Sequence, residues 1–310
     1  MNKFEKLLTL YKHFGLVFTI KFINAYIYML ILKSRSQIHK VIEHYLETNF
    51  KDFIKYSQDK TNIGTPVDNY KIWVCWLQGK DNMPEVVKLC YDNLLNKIKD
   101  KEIVLITFEN LKNYVEIPDY IYKKYQEGKI LPAHFADIAR CALLSKYGGM
   151  WIDSTIFVTD NIKQHLDIFK SEFFTHKIDG MDDREFCSQC KWSTFLLGTK
   201  NKNNDFFLLT YKFLILYWQK YDIAIDYLLI DYMILILYKY NMLIKKYIDS
   251  NQENNIEIGY FNNKLDDKFK KTEFIEVTNN NYFFKLTYKE YIDFNKSNTN
   301  FRKLKEMANL

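Results

Sequence analysis

Hydrophobic and polar positions follow different rules in different parts of the chain. Residues 1–60 hold long apolar stretches with almost no chain breakers and read as helices. Residues 51–70, with Gln, Asp, Asn, Gly and Pro, read as a linker. Residues 71–78 then form a compact run of apolar and aromatic side chains, the signature of a buried strand. Pro84 follows at a helix start, and Val86, Val87, Leu89, Cys90, Leu94 and Leu95 supply the apolar stripe of that helix. Residues 102–107 are another buried strand. Strand, helix and strand in this order predict a right-handed crossover and a parallel sheet. A helix over 119–126 closes at Gly128, and Pro132 opens a longer one that runs to Tyr147. Gly148 and Gly149 end it, as a left-handed cap requires. Residues 150–157 read as a strand interrupted by polar residues at 153–155. Residues 192–198 read as a further strand, residues 206–248 as helices, and residues 282–287 as a short late strand.

Composition supports this division. All four Pro and seven of the nine Gly fall between Gly64 and Gly198, so turns and strands belong to the middle and helices to the flanks. The fold class is α/β. The blocks are a helical N-terminal region over 1–65, a sheet-bearing core over 66–205 and a helical C-terminal region over 206–310. The net charge of +6 favours anionic partners such as nucleotides or lipid head groups. Lys is spread without a basic stripe, which argues against a nucleic acid partner. Five cysteines, an odd count, and no visible cleavable signal fit a reducing cytoplasm. Residues 16–32 are almost wholly apolar but short for a membrane span, and Lys21 lies inside them. Two readings stand: an amphipathic helix lying on an anionic membrane surface, or a helix packed on the protein's own core.

The chemistry concentrates at strand ends, where ligands bind in open α/β sheets. Trp73, Trp76 and Gln78 close the first strand. Asp153, Ser154 and Thr155 interrupt an apolar one, and a polar triplet there costs burial energy unless something binds it. A hard cation with a diphosphate is one such partner; a strand that simply ends in a turn is the plainer alternative. The helix before it carries Asp137 and Arg140 at i and i+3, on one face. Such a pair can clamp phosphate and sugar hydroxyls, or be a surface ion pair worth little. His134, one turn earlier, reads as a core or capping histidine. Asp231 and, after it, Asp226 are the late carboxylates inside an apolar helix. The lone Cys-x-x-Cys at 187 and 190 lacks the second pair that a structural zinc site needs.

Residues 133–140, then Leu143, Leu144 and residues 147–155, resemble the capsular polysaccharide synthesis glycosyltransferases of the glycosyltransferase family 32-like group. The shared features are an Asp-x-x-Arg helix, a Gly-Gly turn and an aspartate motif. Trp73, Trp76, Gln78 and Gly79 with residues 82–85, and more weakly residues 284–289, are similar to the same family. The resemblance implies a GT-A, Rossmann-like core and a nucleotide-sugar donor, UDP-linked, with retention at the anomeric carbon. It implies that Trp76, or else Trp73, stacks on the base with Gln78 nearby. Asp137 and Arg140 would hold donor sugar and phosphates, with Ser154 and Thr155 beside them. Asp153 would bind Mn²⁺ or Mg²⁺, or else the ribose–diphosphate region; by its place in an apolar helix, Asp231 is the late carboxylate that could complete a metal site. Thr155 stands where the wider group has a second aspartate, which weakens the metal implication. The implied acceptor is a lipid-linked oligosaccharide at the inner face of the cell membrane. The rival readings are a protein-modifying, toxin-like transferase of the same fold and a membrane-associated binding protein without turnover.

Overall fold

The computed structural model describes residues 3–180 and 185–309. Three helices open the chain: α1 (Lys3–Leu32), α2 (Ser36–Asn49) and α3 (Lys51–Gln58). Gly15, at φ +84°, kinks α1. Residues 51–58 are thus helical, as the helical reading of residues 1–60 has it and against the linker reading of 51–70. A helix of this length is marginal by itself. Tertiary contacts hold it: Ile54 is buried, and Asn241 Nδ2 donates to the carbonyls of Ser57 and Lys60 at 2.6 and 2.7 Å.

The middle of the chain runs β1 (Thr65–Pro66), β2 (Lys71–Cys75), α4 (Glu85–Lys97), β3 (Glu102–Ile106), α5 (Asp119–Gln126), α6 (Pro132–Tyr147) and β4 (Gly149–Ile152). β5 (Ile156–Val158), β6 (Phe174–Thr175), β7 (Leu196–Thr199) and β8 (Asn201–Lys202) follow. The C-terminal part holds α7 (Asp205–Lys220), α8 (Leu229–Tyr240), α9 (Met242–Asp249), α10 (Lys271–Asn280), β9 (Phe283–Lys285) and α11 (Asn300–Met307). The central sheet has the order β3-β2-β4-β7-β6. β3, β2 and β4 are parallel, as the crossover predicts, while β7 runs antiparallel to both neighbours.

Strand alternation divides the core between the two faces of this sheet. Trp73, Cys75, Trp151 and Leu197 pack with α6, α7, α8 and the N-terminal helices. Ile72, Val74, Met150 and Ile152 pack with Val87, Tyr91 and Leu94 of α4. The C-terminal block is built onto the core: α7 lies along α6 and β9 pairs with β5. Arg35, just before α2, meets Asp226 at 2.6 Å and ties the N-terminal helices to the α7–α8 connection.

One expected strand is two. β4 stops at Ile152, a turn follows with Ile156 N donating to the Asp153 carbonyl at 2.9 Å, and β5 enters a separate two-stranded sheet with β9. Asp153 therefore stands in the break between two sheets. The turn into β4 needs glycine. Gly149 has φ +92°, and a Cβ there would lie 2.2 Å from the Lys71 carbonyl oxygen.

Candidate active site

Pro132 at the first turn of α6 and Gly148 at its cap set the register that turns Asp137 and Arg140 inward. Both are buried, at 8% and 5% exposure. This is not the surface ion pair that spacing alone allows. Arg140 Nη1 lies 3.0 Å from Asp137 Oδ1, and Nη2 donates to Asp153 Oδ1 at 3.2 Å. The guanidinium lies 4.8 Å over the Trp151 ring, a stacking arrangement that lysine could not reproduce. Trp151 Nε1 donates to the same Asp153 oxygen at 2.8 Å, and Lys285 Nζ donates to Oδ2 at 2.5 Å. Arg140 Nε is buried with no hydrogen-bond acceptor, while Nη1 is met by the ion pair with Asp137. Buried donors left open in this way are costly unless a ligand completes them.

The charges tune one another. Burial alone would raise the Asp153 carboxyl, but Lys285 and Arg140 outweigh it and hold the group below the ordinary carboxylate range. Burial raises Asp137, and Arg140 and His134 offset this only in part. Burial opposes the charge on Arg140, yet Asp137 and Asp153 more than compensate, so it stays cationic. Asp231 is pushed up to about 7, first by burial and then by the charge of Asp137. The set holds one firm carboxylate, one firm guanidinium and two carboxyls reluctant to ionise.

The other residues singled out in the sequence divide. Trp76 follows β2 at the same end of the parallel strands as Asp153. It is half-buried, its Nε1 donates to the Asn82 carbonyl at 3.1 Å, and its ring meets Tyr288 edge-on at 5.5 Å. Gln78 is exposed beside it and accepts at its carbonyl from Asn82 Nδ2. Trp73 must be reassigned. It has no exposed surface, donates from Nε1 to the Gly148 carbonyl at 2.9 Å and packs on Tyr114 and Tyr147. It supports the glycine turn from inside the core, where no base can reach it. Ser154 is half-buried and Thr155 buried. Ser193 bonds His176 Nδ1 at 2.8 Å, and His134 Nε2 contacts the Tyr227 carbonyl at 3.2 Å.

The metal set does not assemble. Asp231 accepts from Trp192 Nε1 at 2.9 Å, and both oxygens of Asp153 are engaged by other side chains. Asp226 is taken by Arg35. Among the described residues no three of His, Cys, Asp or Glu converge on one point, Cys187 and Cys190 included. The side chains around Asp153 do not fit a divalent ion.

The sequence places Trp151 and, more weakly, Lys285 and Tyr288 in the segments that carry the resemblance, but gives neither them nor Trp192 a role in the site. Lys285 carries the same signal that revealed Asp153, a charge set inside an apolar strand, Tyr282 to Leu286.

Among solved structures, one titled PaToxG Glycosyltransferase is similar at 17% identity with a TM-score of 0.37, over 65% of this chain and 79% of that chain. That likeness is too distant to assign anything. No curated protein sequence matches. The family described as capsular polysaccharide synthesis protein matches residues 24–304, nearly the whole chain. Together with the Asp137–Arg140–Asp153 junction that carried the resemblance in sequence, this settles the family: the chain belongs to the capsular polysaccharide synthesis proteins.

Proposed function

We propose that the chain is a retaining glycosyltransferase with a GT-A-type core, which moves a sugar from a UDP-linked donor to a lipid-linked oligosaccharide during surface polysaccharide synthesis. Family membership supports the pathway. The observation that carries the chemistry is the Arg140 guanidinium, buried beside Asp153 at the carboxyl end of a parallel strand, paired with Asp137 and Asp153 and with its Nε left without an acceptor. An anion of phosphate type completes it.

In this reading Trp76 and Tyr288 receive the base, and Arg140 and Lys285 face the diphosphate. Their charge stabilises the negative charge that develops on the leaving group. The bond between the anomeric carbon and the diphosphate oxygen breaks, and the oxygen keeps the electron pair. The acceptor hydroxyl oxygen bonds to the same carbon from the face that the diphosphate leaves. Its proton passes to the departing diphosphate. No protein base is required, which agrees with a site whose firm carboxylate is tied to two cations.

The lipid-linked acceptor is supported by α1. Phe14 and Phe18 pack inward on Tyr45, whereas Leu16, Val17, Ile20, Ile27, Leu30 and Ile31 face outward. The stretch Leu7–Leu32 is long and apolar enough to cross a membrane, with 22% of its most apolar window buried. A helix fastened along one side to the protein and apolar along the other is suited to lie on a bilayer, which supports an enzyme working at a membrane surface.

The test is UDP release from a panel of UDP-sugars, together with the thermal shift that UDP produces, since a ligand of the native state raises its melting temperature. Release and a positive shift, both lost in Arg140→Ala, are the expected results. No shift with UDP, or with any other nucleoside diphosphate, removes the reading.

A further inference from the structure

A metal at this site would have to bind Asp153, and three of the roughly four lone-pair sites of its carboxylate already accept from side-chain donors. Trp151 and Arg140 donate to Oδ1, and Lys285 Nζ reaches Oδ2 at 2.5 Å. An ammonium and a divalent ion at that oxygen exclude each other.

The Lys285 contact is built into the fold. Lys285 ends β9 opposite Ile156 of β5, and Leu286 N donates to the Thr155 carbonyl at 2.9 Å. These main-chain links fasten β9 to the very turn that carries Asp153. The ammonium also lies 5.1 Å over the Phe195 ring. It is nevertheless open to a ligand: the side chain is 27% exposed, and Asp153 occupies one of the three N–H donors that an ammonium carries. Thr155, buried beside it, offers a hydroxyl where a second carboxylate would otherwise help to hold a metal.

We propose that Lys285 is the resident cation of this site, standing in for a divalent metal ion and binding, with Arg140, the diphosphate of the nucleotide-sugar donor. This rests on the donor reading above. Asp153 then has a different task from the one its motif suggests: it positions two cations. The arrangement also explains how a site with one firm carboxylate tolerates Thr155. A diphosphate brings two negative charges, and the guanidinium and the ammonium, with two positive charges against the one on Asp153, leave the site net positive toward it.

Calorimetric titration of the full chain with UDP and with uridine, in excess EDTA and in excess MnCl₂, decides the matter. Wild-type protein is expected to bind UDP equally well in both. Lys285→Ala is expected to lose about tenfold or more of its UDP affinity in EDTA, the loss of one charge-assisted hydrogen bond. Its uridine affinity is expected to stay unchanged. It is also expected to regain UDP affinity in MnCl₂, because Asp153 Oδ2 is then uncovered. Lys285→Arg keeps most of the affinity. If wild-type protein binds UDP only in MnCl₂, or Lys285→Ala equals wild type in EDTA, the inference is wrong and the donor reading survives. If wild-type protein binds UDP in neither buffer, the donor reading itself fails. Should Lys285→Ala not fold, the two wild-type titrations still decide, and Lys285→Met, which keeps the apolar stem, replaces it.

Discussion

At the junction of α6 and β4, Asp137 and Arg140 are buried and Asp153 and Lys285 are half-buried, among Trp151 and Phe195. Along α1, leucine, isoleucine and valine side chains face outward, Val17 and Ile31 each at 69% exposure. One region keeps charge inside and the other keeps apolar surface outside. Each departs from the usual partition of charge outside and apolar surface inside. The shape of the departure describes the missing partner. In the proposed reading, the cations inside meet a small anion. In the same reading, the apolar stripe outside meets a lipid surface. An enzyme joining a soluble donor to a lipid-borne acceptor needs both, and needs them to be independent.

The largest effect is expected where charge is buried. Arg140→Ala leaves Asp137 and Asp153 without their shared partner. Unfolding in urea should show a loss on the order of 2–4 kcal/mol, somewhat below the full penalty for breaking a buried pair, because Asp137 readily takes a proton. UDP binding should vanish. Retained UDP affinity would show that the guanidinium serves no ligand, and the inner half of the comparison would collapse. The outer half is tested by Val17→Glu, Ile20→Glu and Ile31→Glu combined. Flotation with anionic phospholipid vesicles should fall about tenfold or more, since each buried aliphatic side chain contributes about 1.5 kcal/mol or more. UDP affinity should not move. A joint loss of both would mean that the triple variant is misfolded or that the two regions are one.

A smaller contrast separates two tryptophans three residues apart. Trp73→Phe removes the hydrogen bond to Gly148 from a sealed core, and should cost about 1–3 kcal/mol of stability with UDP affinity intact. Trp76→Ala should do the reverse, weakening UDP about tenfold, by the usual worth of base stacking, at little cost in stability. Identical profiles for the two would undo the assignment of the base site.

That pair also marks the limit of what the sequence discloses. β2 is buried on both faces, so alternation does not say which tryptophan reaches the ligand; only the end of the strand does. Features encoded locally were legible: Pro132, the Asp137–Arg140 spacing, the glycine pair and the polar break at 153–155 together bound α6 and locate the turn. Local composition allows both helix and linker over residues 51–58, and the contact that secures the end of the helix comes from Asn241, far along the chain. The same local reading took 150–157 for one strand, because the partner that separates β5 from β4 is β9. Lys285 lies 132 residues from Asp153, and no periodicity reports a contact of that span.

Asp231 supplies the finest test, because its environment rather than its partners sets its behaviour. Its carboxyl is pushed up to about 7 from an ordinary value of 3.8, by burial first and then by Asp137. Between those values the folded chain binds more protons than the unfolded one, so this group's contribution to stability falls as pH rises through the window. An asparagine side chain in its place would stay neutral throughout. The melting temperature of Asp231→Asn minus that of wild type should therefore grow as pH rises from about 4 to about 7 and level off above it. The amide oxygen can still accept from Trp192 Nε1, so that bond does not decide the outcome. A flat difference would mean that Asp231 is ionised from low pH upward, as a carboxylate beside a bound cation would be, and it would return this residue to the metal set from which its geometry now excludes it.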